Sequence, residues 1–315
     1  MDSKGLVKLA LSGLMLWLVL RVVDLEALKA TLLSIPPLVA VGAILGFSLT
    51  QSINCLKWWL ILRAGGIVVP YRSALRAVFV GMFANCFGFG TLGGDMLRGV
   101  LISQGLPKKT EAVASVFADR ALGLAVLSLI GVIATAFIGG HHMEPIFVYT
   151  LCGVASCIFL GWFLGPLLVL KLVPKGNRFR EKVEQLTAVL PKNPATLLLV
   201  CGVSAIFHLS QITLHWLIAW GLGISAAFAS FLVTVPFINI LSTLPLSWNG
   251  VGVRENAYLF FLSPEVLSKE QVIAFGALWL LAITGSSLIG GLIAVWSGDL
   301  KFMRRKGSLS AENLP

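Results

Sequence analysis

Long apolar segments that could each cross a lipid bilayer recur along the sequence, for example at 110–138 and 272–296. A helix needs about 20 apolar residues to span the hydrocarbon core, and it satisfies its backbone hydrogen bonds internally. The segments are rich in Leu, Ala and Val and lack the alternating pattern of membrane strands. Hydrophobic residues make up 57% of the chain and charged residues 12%, which is far from the composition of a soluble domain. The sequence therefore predicts an all-α fold, a polytopic membrane helical bundle.

Six segments have the length of complete spans, and two other regions are interrupted. We expect spanning helices at 5–23, 38–62, 110–138, 146–170, 195–222 and 272–296. The interrupted regions, 72–106 and 226–262, consist of apolar arms separated by breaks that contain Gly and Asn, and the arms of the first are shorter than a span. Each region is predicted to form a re-entrant or broken-helix hairpin within a single transmembrane domain of residues 1–300.

Basic residues give the chain a net charge of +10 and gather at segment ends and in short loops. Because cytoplasmic loops carry an excess of Lys and Arg, we assign both termini to the cytoplasmic side of the cytoplasmic (inner) membrane, together with 57–76, 108–109, 171–192 and the basic tail 301–315. The first hairpin then enters from the cytoplasm and the second from outside. The pattern favours anionic lipid headgroups as partners, and not nucleic acid. Within 171–192, apolar residues at helical spacing predict a short helix on the membrane surface.

The order of spans and hairpins predicts an internal repeat. Residues 37–138 correspond to residues 193–296 at an offset near 154, which aligns Asn85 with Asn239. Since the two hairpins enter from opposite sides, the copies are expected to be inverted. Inverted repeats with broken helices at the midplane are a common transporter design.

The stretch 85–98 interrupts apolar sequence with four glycines, an aspartate and an arginine. Glycines favour a helix break, and charged groups at membrane depth require protein or water around them. A half-helix beginning at Asp95 would place Asp95 and Arg98 on one face and direct its free N–H groups at an anion. Arginine can bind two phosphate oxygens at once. We therefore predict that Asn85, Gly93, Gly94, Asp95 and Arg98 line a phosphate site.

Asp119 and Arg120 are adjacent on a predicted helix and cannot face each other. The expected arrangement pairs Asp119 with Arg98 and Arg120 with Asp95. Such pairs would either form part of a substrate site or only lock the hairpin to the helix, and the sequence leaves both interpretations open.

Two further sets of polar residues are candidates for substrate binding. The second interrupted region carries Gly250, Gly252, Arg254 and Glu255. Its arginine would bind the same anion or extend to headgroups at the interface. The fifth predicted span carries a polar stripe of Ser204, His208, Gln211 and His215. A stripe of this kind should face protein or water, and we interpret it either as hydrogen-bonded packing or as a path for substrate or protons.

The sequence contains no metal-ligand spacing, nucleophile triad, Walker loop or dinucleotide fingerprint. We therefore expect no catalytic constellation, no metal and no cofactor, and the chain is not predicted to be an enzyme. The five cysteines lie in or beside apolar segments and are predicted to be free thiols.

The ordered motifs resemble the flippase-like transmembrane region of the lysylphosphatidylglycerol synthase family. The resemblance covers roughly residues 7–300 and is carried by 58–66, Asn85, Gly93, Gly94, Asp95, Arg98, 114–116, Asp119, Arg120, Gly123, Leu124, Leu244, Pro245, Gly250, Gly252, Arg254 and Glu255. It implies a helical membrane domain that moves a phospholipid or another lipid-linked phosphate between leaflets. The chain ends at Pro315 without the aminoacyl-transferase domain of the two-part synthases, so lipid aminoacylation is not expected.

The sequence thus predicts a lipid translocase whose substrate is an anionic lipid or a polyprenyl phosphate, with a lipid-modifying enzyme as a partner that could give transport a direction. Three alternatives remain open. The first is a membrane glycosyl or phosphoryl transferase acting on a polyprenyl-linked substrate, with Asp95 or Asp119 as the base. The second is a secondary transporter of a small anion, and the third is a scaffold that recruits enzymes.

Overall fold

The computed structural model describes residues 26, 33, 35–87, 90–139, 145–243, 252–262 and 267–299. In these ranges the chain forms ten α-helices and no strand. They are α1 (Pro37–Ala64), α2 (Tyr71–Phe87), α3 (Gly90–Ser103), α4 (Lys109–Ile138), α5 (Pro145–Leu172), α6 (Arg178–Ala188), α7 (Pro194–Gly221), α8 (Phe228–Thr243), α9 (Val253–Leu262) and α10 (Lys269–Ser297). The all-α prediction is confirmed for this part of the chain.

Four described helices, α1, α4, α7 and α10, are long and apolar enough to cross a membrane, with 28 to 30 residues each. Helix α5 is a fifth if its two segments, Val148–Gly161 and Leu164–Leu172, form one span with a 51° bend. The bend precedes Pro166, whose ring clashes with the preceding turn of a helix. The first predicted span, 5–23, lies outside the described residues, so the predicted total of six spans stays a prediction.

The two interrupted regions form pairs of short helices. Helices α2 and α3 have 17 and 14 residues, and α8 and α9 have 16 and 10. The arms of the first pair approach closely where Gly81 faces Gly94. The distance is so short that a Cβ on Gly94 would overlap the carbonyl oxygen of Gly81. Small residues permit this approach of two backbones. Whether either pair re-enters the membrane from one side stays a prediction.

Each pair of short helices packs against a long helix from the other half of the chain. Helix α2 packs on α10, and α8 packs on α4. A Cβ on Gly290 of α10 would overlap the carbonyl oxygen of Phe79 in α2, and one on Gly131 of α4 would lie 3.0 Å from Pro236 Cβ in α8. The two halves also meet where α1 packs on α7. The interlocked halves surround the site described below.

The short helix predicted within 171–192 is α6, which packs on α4 and α5. The side chain of Asn177 accepts a hydrogen bond from the N–H of Phe179 and so caps its first turn. All five cysteines are free, as expected.

The turn between α1 and α2 has the same backbone geometry as the turn between α7 and α8. Gly66 and Gly223 have φ angles of 76° and 74°, a region that favours glycine. The next residue, Ile67 or Ile224, donates its N–H to the carbonyl five residues earlier, at 2.9 and 3.0 Å. This is the bonding of a Schellman helix end. Corresponding residues of the two turns are 157 positions apart.

The same offset relates the side chains that hold these turns. A tryptophan in each half donates its indole N–H to the carbonyl ten residues later. Trp59 donates to Val69 at 2.8 Å, and Trp216 donates to Ala226 at 3.0 Å. Each indole also meets an aromatic ring twelve residues later in an edge-to-face contact, with centroids 6.0 Å apart for Trp59 and Tyr71 and 5.9 Å apart for Trp216 and Phe228.

Candidate functional site

A polar cavity of about 220 Å³ lies among seven helices of the two halves. The helices that contribute lining residues are α1, α2, α4, α7, α8, α9 and α10. The cavity is smaller than the roughly 300–1,000 Å³ of pockets that enclose drug-sized ligands. Its polar lining residues include Gln51, Asn54, Lys57, Asn85, Asp119, Arg120, His208, Gln211, Asn239, Ser242, Thr243, Arg254 and Ser287.

A chain of alternating charges joins the cavity lining to α3. Lys57, Asp119 and Arg120 line the cavity, whereas Asp95 and Arg98 of α3 are not among the lining residues. Lys57 Nζ lies 3.0 Å from Asp119 Oδ1, and Arg98 Nη2 donates to Asp119 Oδ2 at 2.9 Å. Arg98 Nε lies 3.5 Å from Asp95 Oδ1, and Arg120 Nη2 lies 2.6 Å from Asp95 Oδ2. The predicted cross-pairing of Asp119 with Arg98 and of Arg120 with Asp95 is therefore confirmed.

The composition of this ion-pair chain leaves one positive charge without a carboxylate. It contains three cations and two carboxylates. The side chains of Lys57, Arg98 and Asp119 are 4% exposed or less, whereas that of Arg120 is 47% exposed. Buried charges are tolerated only when they are paired and hydrogen-bonded. The excess charge therefore favours an anion in the cavity.

Asp119 and Arg120 are adjacent on α4, so their side chains point in different directions and pair with different residues. Asp119 is directed toward α1 and α3, where it meets Lys57 and Arg98, while Arg120 reaches Asp95. Asp95 and Arg98 are one turn apart on α3, which packs on α4. The hairpin and the long helix are thus joined by charge pairs whose α4 members, Asp119 and Arg120, line the cavity.

Helix α3 begins five residues earlier than the sequence predicted. It starts at Gly90 and not at Asp95, so Gly93 and Gly94 lie within its first turns. The N–H of Gly94 donates to Asn85 Oδ1 at 2.8 Å, and it is not free to bind an anion. Within the helix, Gly94 permits the close approach of Gly81, since a Cβ on Gly94 would overlap the carbonyl oxygen of Gly81. The prediction of an anion-binding helix N-terminus at Asp95 is wrong.

Lys57 is the functional candidate that the sequence interpretation missed. The sequence assigned it to the cytoplasmic end of a span, beside two tryptophans, where a lysine is common. It is instead 2% exposed and also donates to the backbone carbonyl of Asp119 at 3.2 Å. A signal was present, since Gln51, Asn54 and Lys57 recur every three residues and line the cavity together.

The polar stripe on α7 divides into two parts. His208 and Gln211 line the cavity, and His208 Nε2 donates to the carbonyl of Gly123 at 3.0 Å. His215 does not line it: its Nδ1 donates to the carbonyl of Gln211 at 2.7 Å, and its Nε2 accepts from the Tyr258 hydroxyl at 3.0 Å. Ser204 is fully buried and is likewise absent from the lining. Both ends of the stripe are packing, and its middle, His208 and Gln211, faces the cavity.

The second candidate set contributes one cation to the cavity. Arg254 lines it, and its Nε and Nη1 atoms are buried with no hydrogen-bond partner among the residues that the structure describes. Glu255 accepts from the N–H of Gly252 at 2.6 Å and so caps the start of α9. Asn239 lines the cavity from α8, and Gly250 lies outside the described residues.

Comparison with known proteins identifies the family. The family model described as "Lysylphosphatidylglycerol synthase TM region" matches residues 5–291. No curated protein sequence matches the chain. The matched region contains every charged residue of the cavity wall and nearly all of the described helices. With its apolar helices, the chain is a multi-pass membrane protein that belongs to the lysylphosphatidylglycerol synthase transmembrane-region family.

Proposed function

We propose that this protein moves a lipid with an anionic headgroup between the leaflets of the cytoplasmic membrane, with the headgroup passing through the central cavity. The observation that carries the proposal is the excess of cations on the cavity lining. Lys57, Arg120 and Arg254 border the cavity, whereas Asp119 is the only carboxylate among its described lining residues. Asp119 already pairs with Lys57 and Arg98.

Arg254 and Arg120 are the residues to which we assign the first contacts with phosphate. Two nitrogens of Arg254 have no partner among the described residues, and a guanidinium presents its donors in a fork that matches phosphate oxygens. Arg120 is half exposed and shares Asp95 with Arg98. It can turn to a phosphate while Arg98 still compensates the charge of Asp95.

The size of the cavity limits what enters it. At about 220 Å³ it can hold a small headgroup but not two acyl chains. In the proposed path, the two acyl chains therefore stay in the bilayer while the polar headgroup crosses between α1, α4, α7 and α10. This path removes the main barrier to lipid exchange, which is the transfer of a charged group through hydrocarbon.

Equivalent cavity positions in the two halves support an internal repeat. At an offset of 157, the lining pairs are Gln51 with His208, Asn54 with Gln211, Met82 with Asn239, Asn85 with Ser242, and Cys86 with Thr243. On α4 and α10 the offset is 160, and the pairs are Asp119 with Trp279, Gly123 with Ile283, and Leu127 with Ser287. The cavity then lies across the axis that relates the repeats, as in many transporters.

Charge at the two equivalent turns supports an inverted relation between the repeats. The turn after α1 is flanked by Arg63 and Arg72, whereas 220–229, after α7, contains no Lys or Arg. By the positive-inside rule the first turn is cytoplasmic and the second is external. We also propose that both termini lie in the cytoplasm. The direction of net transport is then set by a lipid gradient or by a lipid-modifying partner enzyme.

A small-anion transporter is the second candidate, because a cavity of this size would also enclose a free anion such as inorganic phosphate. The two functions share the cationic lining and differ in whether a lipid is carried. Uptake of labelled phosphate into proteoliposomes without lipid exchange would favour the second candidate.

Leaflet exchange of headgroup-labelled phosphatidylglycerol in proteoliposomes tests the proposed function. We expect wild type to accelerate exchange over empty vesicles, and Arg254→Gln and Arg120→Gln each to slow it at matched insertion. The matched control is Arg72→Gln, since Arg72 is exposed and does not line the cavity. Wild type that exchanges no lipid faster than empty vesicles would reject the proposal.

A further inference from the structure

We propose that the headgroup this cavity binds combines one phosphate charge with an uncharged group that carries hydroxyls, such as glycerol or a sugar, and that ammonium-bearing headgroups are disfavoured. The inference rests on the proposed function and names the substrate class of the same site.

Four neutral amide side chains line the cavity without a hydrogen-bond partner among the described residues. They belong to Gln51, Asn54, Gln211 and Asn239. None of the four side chains hydrogen-bonds to any residue that the structure describes, and the Oδ1 atom of Asn54 is fully buried. By contrast, the amide of Asn85 is used structurally, because its oxygen accepts from Gly94.

Gln211 is 9% exposed, and the other three amides are half-buried. Unpaired amides on a cavity wall of this kind point to a ligand or to water. A buried polar group without a hydrogen bond lowers stability, so native interiors contain few of them. Each amide offers one carbonyl acceptor and two N–H donors. A hydroxyl is both donor and acceptor, and it can therefore satisfy either end of an amide, whereas an ammonium group can only donate.

The amides come from both halves of the protein. Asn54 on α1 and Gln211 on α7 occupy equivalent positions 157 residues apart, and α1 packs on α7. A hydroxyl-bearing headgroup would thus find amide partners on either half as it crosses. Water molecules can occupy the same positions in the empty cavity and be displaced by ligand hydroxyls that reproduce their hydrogen bonds.

The charge balance disfavours an ammonium group. The ion-pair chain carries a net charge of +1, and Arg254 adds a further cation to the lining. The carboxylate of Asp119 is held at 3.0 and 2.9 Å by two cations. Within the described ranges, no other carboxylate reaches the cavity to receive an ammonium group. A headgroup with extra positive charge would be repelled by Lys57 and Arg254.

Binding of a panel of short-chain lipids to the full chain in nanodiscs tests the inference. Phosphatidylglycerol and phosphatidylinositol carry a phosphodiester and hydroxyls, and phosphatidylmethanol carries the same phosphodiester without hydroxyls. Phosphatidylethanolamine and lysyl-phosphatidylglycerol add ammonium groups. We expect the two hydroxyl-bearing anionic lipids to bind about tenfold more tightly than phosphatidylmethanol, because one or two net hydrogen bonds account for this ratio. We expect both ammonium lipids to bind more weakly still.

The variant Asn54→Leu/Gln211→Leu connects the preference to the amides. It should lose the preference for phosphatidylglycerol over phosphatidylmethanol, while Gln185→Leu on the exposed face of α6 should keep that preference. Equal binding of phosphatidylmethanol and phosphatidylglycerol by wild type would overturn the inference. Binding of lysyl-phosphatidylglycerol by wild type as tight as that of phosphatidylglycerol would also overturn it. An unchanged preference in the double variant would overturn it too, because the amides would then bind only water.

The same panel separates this inference from the proposed function. Wild type that binds all the phosphodiester lipids equally and still exchanges them between leaflets would overturn the headgroup inference alone. Wild type that neither binds nor exchanges any lipid of the panel would overturn both. The wild-type comparison decides the inference even if the double variant fails to fold.

Discussion

Asp119 is the residue on which the charge balance of the site depends. Its carboxylate is 1% exposed and contacts both Lys57 and Arg98. The pairing with Arg98 could be predicted from sequence, because adjacent helical residues such as Asp119 and Arg120 must choose different partners. Lys57 could not be recognised with the same ease, because a lysine beside Trp58 and Trp59 also fits an interfacial helix end.

Asp119→Asn should strongly destabilise the protein. It leaves Lys57 and Arg98 buried without their shared carboxylate, and loss of one partner from a buried ion pair costs about 3–5 kcal/mol. We expect a large fall in the thermal midpoint in detergent. The double variant Lys57→Met/Asp119→Asn should recover part of the lost thermal midpoint, since the net charge of the ion-pair chain returns to that of wild type.

An exposed ion pair provides the control for this variant. Arg180 and Glu184 on α6 are 2.8 Å apart, and Glu184 is 49% exposed. Exposed pairs contribute about 0–1 kcal/mol, so Glu184→Gln should change the midpoint little. A midpoint for Asp119→Asn equal to that of Glu184→Gln would contradict the assignment of Asp119 as the buried partner of two cations.

At the scale of elements, the close approach of α2 and α3 determines the shape of the first hairpin. The short arms were predicted from the lengths of the apolar segments, and their pairing followed from the break between them. The start of α3 at Gly90 was missed, because the glycines were interpreted as a helix break. Only the fold shows that Gly94 is needed for contact with Gly81 on the other arm.

Gly94→Ala should separate the two arms of this hairpin. The new methyl group would overlap the carbonyl oxygen of Gly81 and lie 2.5 Å from Asn85 Oδ1. Overpacking of this kind costs about 1–3 kcal/mol, and we expect a lower thermal midpoint in detergent. Gly42→Ala on α1 is the matched control, since nothing lies within 4 Å of its new methyl group, and helix propensity alone favours alanine. Equal midpoints for the two variants would contradict the close packing.

At the scale of the whole molecule, the two similar turns and the cavity positions provide a spacing between the two halves of the chain that the sequence alone did not provide. The predicted offset of 154 aligned Asn85 with Asn239. The two turns of like geometry are 157 residues apart, and at that offset the proposed repeat pairs Asn85 with Ser242 and Asn239 with Met82. The turns share their glycines and indoles, whereas the aligned asparagines are one pair of like residues, so the offset proposed from the structure differs from the predicted one by three residues.

Inversion of the repeats predicts opposite exposure of the two equivalent turns. Val68 and Ser225 occupy the same position in these turns and are both exposed. With the five native cysteines replaced by alanine, Val68→Cys should react with a membrane-impermeant thiol reagent only from the cytoplasmic side, and Ser225→Cys only from outside. Labelling of both from the same side would show that the repeats are not inverted.

Headgroups that cross through the polar cavity should be stopped by a reversible block placed inside it. In the same cysteine-free background, Ser242→Cys places a thiol on the cavity lining, and Val68→Cys places one on an exposed turn away from it. Leaflet exchange of phosphatidylglycerol is measured before modification with a bulky methanethiosulfonate, after it, and after reduction. We predict that exchange by Ser242→Cys stops on modification and returns on reduction, while Val68→Cys is unaffected. Exchange that continues at the unmodified rate after complete modification of Ser242→Cys would contradict a path through this cavity.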